Sequence, residues 1–311
     1  MLDVRRMRVL REVAARGSFS AAAEALNFTQ SAVSQHVAAL ERESGAKLVE
    51  RGARGVRLTV AGRALVDHTD AIVARIEAAE EELAAIAGLR GGRLRLACFQ
   101  SAGATLVPRA VAVFHSRHPA VELSMVEAEP DGAGAMLRSG EIDLALVYDH
   151  ASVPAMLEPE LELAPLVDDR YDAILPRDHR LAKRRRLALA DLADDAWIAS
   201  RRSCGCREIT EQVCREAGFE PRVAFEADET LAAQALVASG VGVTILPRLA
   251  LTVVHPDVVT GTLTDAPVRR VWAARAASAY RSPASEAMMQ ILSDVAEEFR
   301  EAKLELAKTA G

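Results

Sequence analysis

Residues 18–51 carry two apolar-periodic runs separated by only two residues, and that spacing constrains the chain more than any other feature. The run Ser18-Phe19-Ser20-Ala21-Ala22-Ala23-Glu24-Ala25-Leu26 predicts a short helix. Asn27-Phe28 predicts a tight turn, and a second helix starts at Thr29 and runs through Glu41. Phe19, Ala22, Leu26, Val33, Val37 and Leu40 share one apolar side, while Gln30, Ser31, Ser34 and Gln35 fall on the other. Thr29 suits an N-cap and Gly45 a stop. Amides can pair bidentately with adenine, and hydroxyls reach phosphates or base edges. Two readings follow: a pair of packing helices, or a module that lays its second helix in the major groove of DNA.

The flanks favour the second. Val4, Met7, Leu10, Val13 and Ala14 recur at helical spacing, supplying a first helix for the pair to pack against. Residues 47–59 form two short apolar runs around a glycine-punctuated tip, which predicts a small hairpin wing. Arg54 at that tip suits a minor groove, Arg51 and Arg57 suit phosphates, and His36 on the second helix is placed to meet one. Residues 1–65 hold 11 Lys and Arg against 6 Asp and Glu, whereas the remainder holds 27 against 38. A basic head on an acidic body is expected when one end alone meets a polyanion.

From Thr59 to Ala87 there is no proline and one glycine near the start. Leu65, Thr69, Ile72, Ile76, Ala79, Leu83 and Ile86 recur in alternating steps of four and three, an a/d seam. Roughly 29 residues at 1.5 Å each reach over 40 Å, long for a helix lying on its own domain. A dimeric coil is therefore expected, with Leu65, Ile72, Ile76, Leu83 and Ile86 in its seam, and Gly88-Leu89-Arg90-Gly91-Gly92 as the hinge after it.

From Arg93 onward apolar runs alternate with helical stretches. Strands are expected at 94–99, 121–127, 143–148, 165–175, 196–199, 222–227, 242–247 and 268–274, and helices at 105–117, 131–139, 189–193, 207–217, 229–239 and 283–307. This alternation implies an α/β body with mostly parallel sheets. Ligands of open α/β sheets settle beyond the carboxyl ends of strands. Four segments qualify: residues 99–105, Tyr148-Asp149, residues 200–204, and Ala227-Asp228-Glu229. The candidate ligand residues are Gln100, Ser101, Ala102, Thr105, Tyr148, Arg202, Ser203 and Asp228, with Ser101 and Thr105 foremost. Asp149 and Asp228 leave the charge of that ligand open.

The run from Gly17 to Leu26, then Thr29-Gln30-Ser31-Ala32-Val33-Ser34-Gln35-His36-Val37, Leu40-Glu41, Gly45, Leu48, Glu50-Arg51 and Leu58-Thr59-Val60-Ala61-Gly62 resembles the winged helix of LysR-type transcriptional regulators. Val49 stands where that family usually has phenylalanine, and the wing reads Gly-Ala-Arg-Gly. Farther along, Val107-Pro108-Arg109, Phe114, His118-Pro119, Leu137, Gly140-Glu141-Ile142-Asp143-Leu144-Ala145, Gly240-Val241-Gly242 and Leu246-Pro247 resemble the family's effector domain. The resemblance implies a winged helix-turn-helix over residues 1–62, a dimerising helix and hinge over 63–92, and a two-lobed body of the type 2 periplasmic-binding-protein fold over 93–311. Lobe I would comprise 93–164 and 266–311, and lobe II 165–265. It further implies base and phosphate contacts by Gln30, Ser31, Ser34, Gln35 and Arg54. The implied partners are double-stranded DNA at an imperfect palindromic operator, a small-molecule co-inducer, a second or further copy of the chain as homodimer or homotetramer, and RNA polymerase. No cofactor is implied.

The four cysteines are Cys98, Cys204, Cys206 and Cys214. Cys-x-Cys, then seven residues and Cys, matches no standard zinc spacing, and no histidine lies near, so no metal site is expected. A redox role for Cys204 and Cys206 stays open, as in the family's peroxide-sensing branch. Lys183-Arg184-Arg185-Arg186 reads as a solvated turn. No Ser/His/Asp arrangement in a strand–turn–helix context, phosphate-cradling glycine motif or pair of carboxylates with an obvious cleft appears, so the chain is not expected to be an enzyme. No apolar run approaches the roughly 18 residues of a membrane helix, and the charged N-terminus is unlike a signal, so a cytoplasmic chain that avoids the membrane is expected. The rival is a small-molecule binder, or an enzyme of the same two-lobed fold, whose N-terminal helices only dimerise. The Arg51–Arg57 wing and the Gln30/Gln35 face are what such a module would not need.

Overall fold

A computed structural model describes residues 1–52, 55–86, 92–151, 160–202, 204–277, 279 and 281–309; the side chains of residues 51, 52, 55, 77, 78, 81, 82, 84–86 and 301–309 lie outside the description. Two compact units are present, Met1–Gly88 with Arg138–Glu141, and Leu89–Leu137 with Ile142–Gly311.

In the first unit, helix α1 (Val4–Arg16) starts where the Asp3 carboxylate accepts from the Arg5 and Arg6 amides, and stops at Gly17 with φ 63°. Helix α2 (Phe19–Ala25) begins on the Ser18 hydroxyl, and α3 (Gln30–Ser44) on Thr29, which accepts from the Ala32 amide at 3.2 Å. The turn between them needs one left-handed residue, and Asn27 supplies it at φ 53°. Met7, Leu10, Val13, Phe19, Ala22, Val33, Val37 and Leu40 close into one core. Strands β1 (Val49–Gly52) and β2 (Gly55–Leu58) pair antiparallel, Val49 opposite Leu58 and Gly52 opposite Gly55. The Val56 amide donates to the Gly17 carbonyl at 3.0 Å, hanging this wing from the α1–α2 junction. Helix α4 (Val60–Ile86) follows. Its first turn passes so close to the wing that a Cβ on Gly62 would collide with the Leu48 carbonyl oxygen, so only glycine fits there. Its 27 residues span about 40 Å.

The second unit runs β3 (Gly92–Cys98), α5 (Gln100–Gly103), α6 (Leu106–Arg117), β4 (Val121–Glu127), α7 (Pro130–Ser139), β5 (Leu144–His150) and β6 (Leu161–Pro176). It continues through β7 (Arg186–Leu187), β8 (Ala196–Ala199), α8 (Gly205–Glu216), β9 (Arg222–Glu226), α9 (Thr230–Ala238), β10 (Thr244–Pro247), β11 (Val258–Leu263), β12 (Val268–Ala276) and α10 (Pro283–Thr309). Eight strands form one sheet in the order β4-β3-β5-β12-β6-β11-β7, with β10 also on β6, while β8 and β9 pair separately.

The expected mostly parallel sheet is not what forms. β3 is parallel to β4 and β5, and β8 to β9, but β12 is antiparallel to β5 and β6, and β10 and β11 are antiparallel to β6. Parallel neighbours need a crossover of a dozen or more residues, normally a helix. β6 and β12 are each entered from a strand without an intervening described helix, so they lie against the grain. β6 is long enough to change partners: Leu161–Arg170 lies on β12, and from Tyr171 onward it pairs with β10 and β11. The sequence also gave no sign of β7, β11 or the single turn α5. Leu189–Leu192 is a 3-10 turn, and α8 begins at Gly205 rather than at 207. One apolar cluster, including Leu96, Phe99, Phe114, Trp197, Ile209 and Leu292, runs through this unit.

The basic run at 183–186 lies at the surface, with Arg184 near Asp191 at 3.7 Å and Arg186 entering β7. No described helix is long and apolar enough to cross a membrane.

Candidate functional site

One face of α3 is wholly committed to packing. Val33, Val37 and Leu40 are at most 2% exposed, and the periodicity of the helix therefore turns Gln30, Ser31 and Gln35 to solvent. Ser34 and His36 are half-buried. The Ser31 hydroxyl lies 3.0 Å from that of Thr29, so the cap and the first exposed hydroxyl form one local network. Phe28 is 47% exposed, its ring centroid 5.7 Å from that of His36. Sequence reasoning read Phe28 only as a turn residue, although a bare phenyl ring beside an amide-bearing helix start is itself a surface signal. Arg57 is exposed on β2. The Arg51 side chain and Arg54 lie outside the described residues.

Glu41 fixes the wing to this helix. Its Oε1 accepts from the Leu48 amide at 2.9 Å and the Val49 amide at 3.4 Å, and its Oε2 from Lys47 Nζ at 2.9 Å. Burial pushes the carboxyl up, but the Lys47 side chain and the two amides outweigh it and hold it below the usual carboxylate range.

Along α4, Leu65 and Thr69 are buried, whereas Ile72, Ile76 and Leu83 are 38%, 37% and 66% exposed. The seam thus leaves the core after two turns and continues as an uncovered apolar stripe. The Ile86 side chain lies outside the description.

In the second unit a cavity of about 370 Å³ opens at the ends of β3, β8 and β9, within the usual size of a small-molecule site. Three of the expected ligand residues line it, Gln100, Ser101 and Asp228. Ala102 and Thr105 are buried away from it, and the Thr105 hydroxyl donates to the Ser101 carbonyl at 2.6 Å. Tyr148 lies beneath the floor, its hydroxyl 2.6 Å from Glu129 Oε2 and 3.0 Å from Cys206 Sγ. Arg202 is exposed and faces a separate groove with Arg207 and Glu211. Ser203 lies outside the described residues.

The organising residue is one the sequence reading passed over. Arg269 on β12 is 2% exposed and stands opposite Asp169 on β6 in the sheet register. Its Nη2 donates to Asp169 Oδ2 at 2.9 Å and to Ser101 Oγ at 2.5 Å. The guanidinium lies 4.8 Å from the Phe99 ring centroid and 4.9 Å from that of Tyr148, which themselves meet edge to face. The signal was available: β12 alternates, and Arg269 shares the inward phase with Val271 and Ala273. A charge in that phase is costly unless paired.

The cavity mouth is bridged by Gln100. It donates to Glu229 Oε2 at 2.6 Å and accepts from the Thr230 hydroxyl at 3.2 Å. Asp228 is held by Arg201, which donates from its amide at 2.9 Å and from its guanidinium. Asp149 is held by Arg270 and by the Trp272 indole at 3.1 Å. Both carboxylates that left the ligand's charge open are therefore ion-paired within the chain.

Glu129, Cys204 and Cys206 also line the cavity. Burial pushes the Glu129 carboxyl up. The hydrogen bond between the two thiols favours ionisation of Cys204 and holds Cys206 protonated. Cys98 and Cys214 are buried, and burial pushes their thiols up to about 11 and about 12.

Residues 4–63 match the family model described as bacterial regulatory helix-turn-helix protein, lysR family, and residues 87–297 match the LysR substrate binding domain. Among curated relatives, the probable HTH-type transcriptional regulator LrrA of Synechococcus elongatus is 33% identical over 300 residues, covering 96% of this chain and 99% of that protein. The HTH-type transcriptional regulator ShiR of Corynebacterium glutamicum is 36% identical over 230 residues, 73% of this chain and 76% of that protein. Among solved structures, a full-length OxyR variant of Pseudomonas aeruginosa superposes with a TM-score of 0.72 at 23% identity, over 94% of this chain and 98% of that one, a shared fold.

Proposed function

The chain belongs to the LysR family of transcriptional regulators, a family of regulators and not of enzymes, and on that premise we propose how its two units divide the work. Gln30, Ser31, Ser34 and Gln35 read base edges in the major groove, with His36, Arg51 and Arg57 on phosphates and Arg54 in the minor groove. The observation that carries this reading is the exposed Gln30/Gln35 face set against the fully buried Val33/Val37/Leu40 face of the same helix. A dimerisation module would have no use for amides there. The uncovered Ile72, Ile76 and Leu83 stripe supports pairing of two α4 helices, which sets two heads on the half-sites of an imperfect palindrome. The division into head (1–62), helix and hinge (63–92) and two-lobed body (93–311) follows the same reading.

The effector occupies the cavity at Ser101, Gln100 and Asp228. Because Gln100 bonds across the mouth to Glu229 and Thr230, an effector seated there changes how the two sides close. Oligomer contacts carry that change to the paired heads and so to DNA bending and RNA polymerase, in the cytoplasm. The test is a gel-shift with the DNA upstream of the protein's own gene. A retarded complex that survives excess random DNA is expected; binding that random DNA abolishes equally contradicts sequence reading.

A further inference from the structure

The cavity floor brings together donors from two distant stretches of chain. Cys204 stands immediately before α8 and Cys206 in its first turn, while Glu129 stands immediately before α7. One sulfur from each cysteine and one carboxylate oxygen from Glu129 all lie within 4.8 Å of one another. Donors held at 2.0–2.3 Å around a tetrahedral ion are spaced about 3.3–3.8 Å, so small rotations of these side chains complete the arrangement. A second, independent observation marks the same place as a ligand site. Tyr171, 2% exposed and lining this cavity, has the buried side-chain polar atom that finds no hydrogen-bond partner among the described residues. The large majority of buried hydroxyls are hydrogen-bonded, so one without a protein partner beside a cavity marks a place where a ligand can bind.

We propose that Glu129, Cys204 and Cys206 form a binding site for one thiophilic divalent cation of the zinc–cadmium class, with the Tyr171 hydroxyl serving the remaining position directly or through a metal-bound water. Two sulfurs and one carboxylate select a borderline or soft ion over magnesium or calcium, which take oxygen donors alone. On binding, each thiol yields its proton to solvent as sulfur bonds to the ion, with no change of oxidation state. The zinc-like spacing is missing from the cysteines because the third donor comes from a segment 75 residues earlier in the chain.

The inference goes beyond the effector reading and is measured on the free protein, so that its failure leaves the operator and cleft assignments standing. Reduced full-length protein is titrated with cadmium and followed by the thiolate-to-cadmium charge-transfer absorbance. Wild-type protein should take up one cadmium per chain with a saturable band. C206S and C204S should each lose about half of that band, and E129Q should keep it while binding about tenfold more weakly. C98S and C214S should match wild type. E129Q, with both thiols intact and a side chain of nearly the same shape, guards against a folding artefact, checked by circular dichroism. Absence of a charge-transfer band in wild-type protein, a band undiminished in C206S, or unchanged affinity in E129Q overturns the site.

Discussion

Arg269 and Ser101, 168 positions apart in sequence, meet at 2.5 Å beneath the cavity, and the guanidinium that holds the serine hydroxyl is itself clamped to a fully buried Asp169. Ser101 thereby arrives at the cavity preset, its hydroxyl orientation determined by β12.

Removing one partner of a buried ion pair leaves the other uncompensated, a loss of about 3–5 kcal/mol, whereas replacing both by apolar residues of similar volume is close to neutral. Arg269→Ala should therefore lower the unfolding free energy of the second unit by about 3–5 kcal/mol in urea titration. The paired Arg269→Met, Asp169→Leu variant should recover most of it. Equal losses in both variants would show that the pair acts through shape alone.

Gln100 closes the cavity mouth through Glu229 and Thr230. Gln100→Ala deletes both bonds, each worth about 0.5–1.5 kcal/mol. Amide hydrogen exchange at the start of α9 should quicken by roughly tenfold or more while β12 stays protected. Unchanged exchange there would remove Gln100 from any role in closure.

The wing depends on an ionised Glu41. Because its folded-state carboxyl titrates below the ordinary range, the unfolded chain binds the proton first, and the stabilisation is present above that range and lost as pH falls through it. Denaturant stability of the first unit should fall on acidification more steeply in wild type than in Glu41→Gln. Parallel pH profiles would contradict the assignment.

The apolar stripe on α4 gives the oligomer its test. Ile76→Asp places a charge in the seam and should shift the protein toward monomer in analytical ultracentrifugation, weakening operator binding while leaving α3 intact. An unaltered mass distribution would mean that α4 is covered by something other than its twin.

Much of the head was legible because its signals are local. Thr29 caps and Gly45 stops α3 within hydrogen-bonding reach of their own helix, and the apolar phase of Val33, Val37 and Leu40 dictates which way Gln30 points. The body yielded less, since its decisive contacts are long-range. Alternating strands and helices suggested parallel pairing, but β6 and β12 are opposed by neighbours far along the chain. Tyr148 and Thr105 stand at the strand and helix ends where ligands gather, yet each turns to a partner within the protein, Glu129 and Ser101 respectively. Glu129 and Arg269, which shape the cavity, belong to segments with no motif of their own.

The central claim is that α3 reads bases, and the Gln30→Ala variant tests it most directly in binding titrations against operator and random DNA at one salt concentration. Loss of a bidentate amide should cost roughly 1–3 kcal/mol on operator and nothing measurable on random sequence. An equal loss on both would mean that Gln30 serves only the backbone, and that the exposed face of α3 does not confer selectivity.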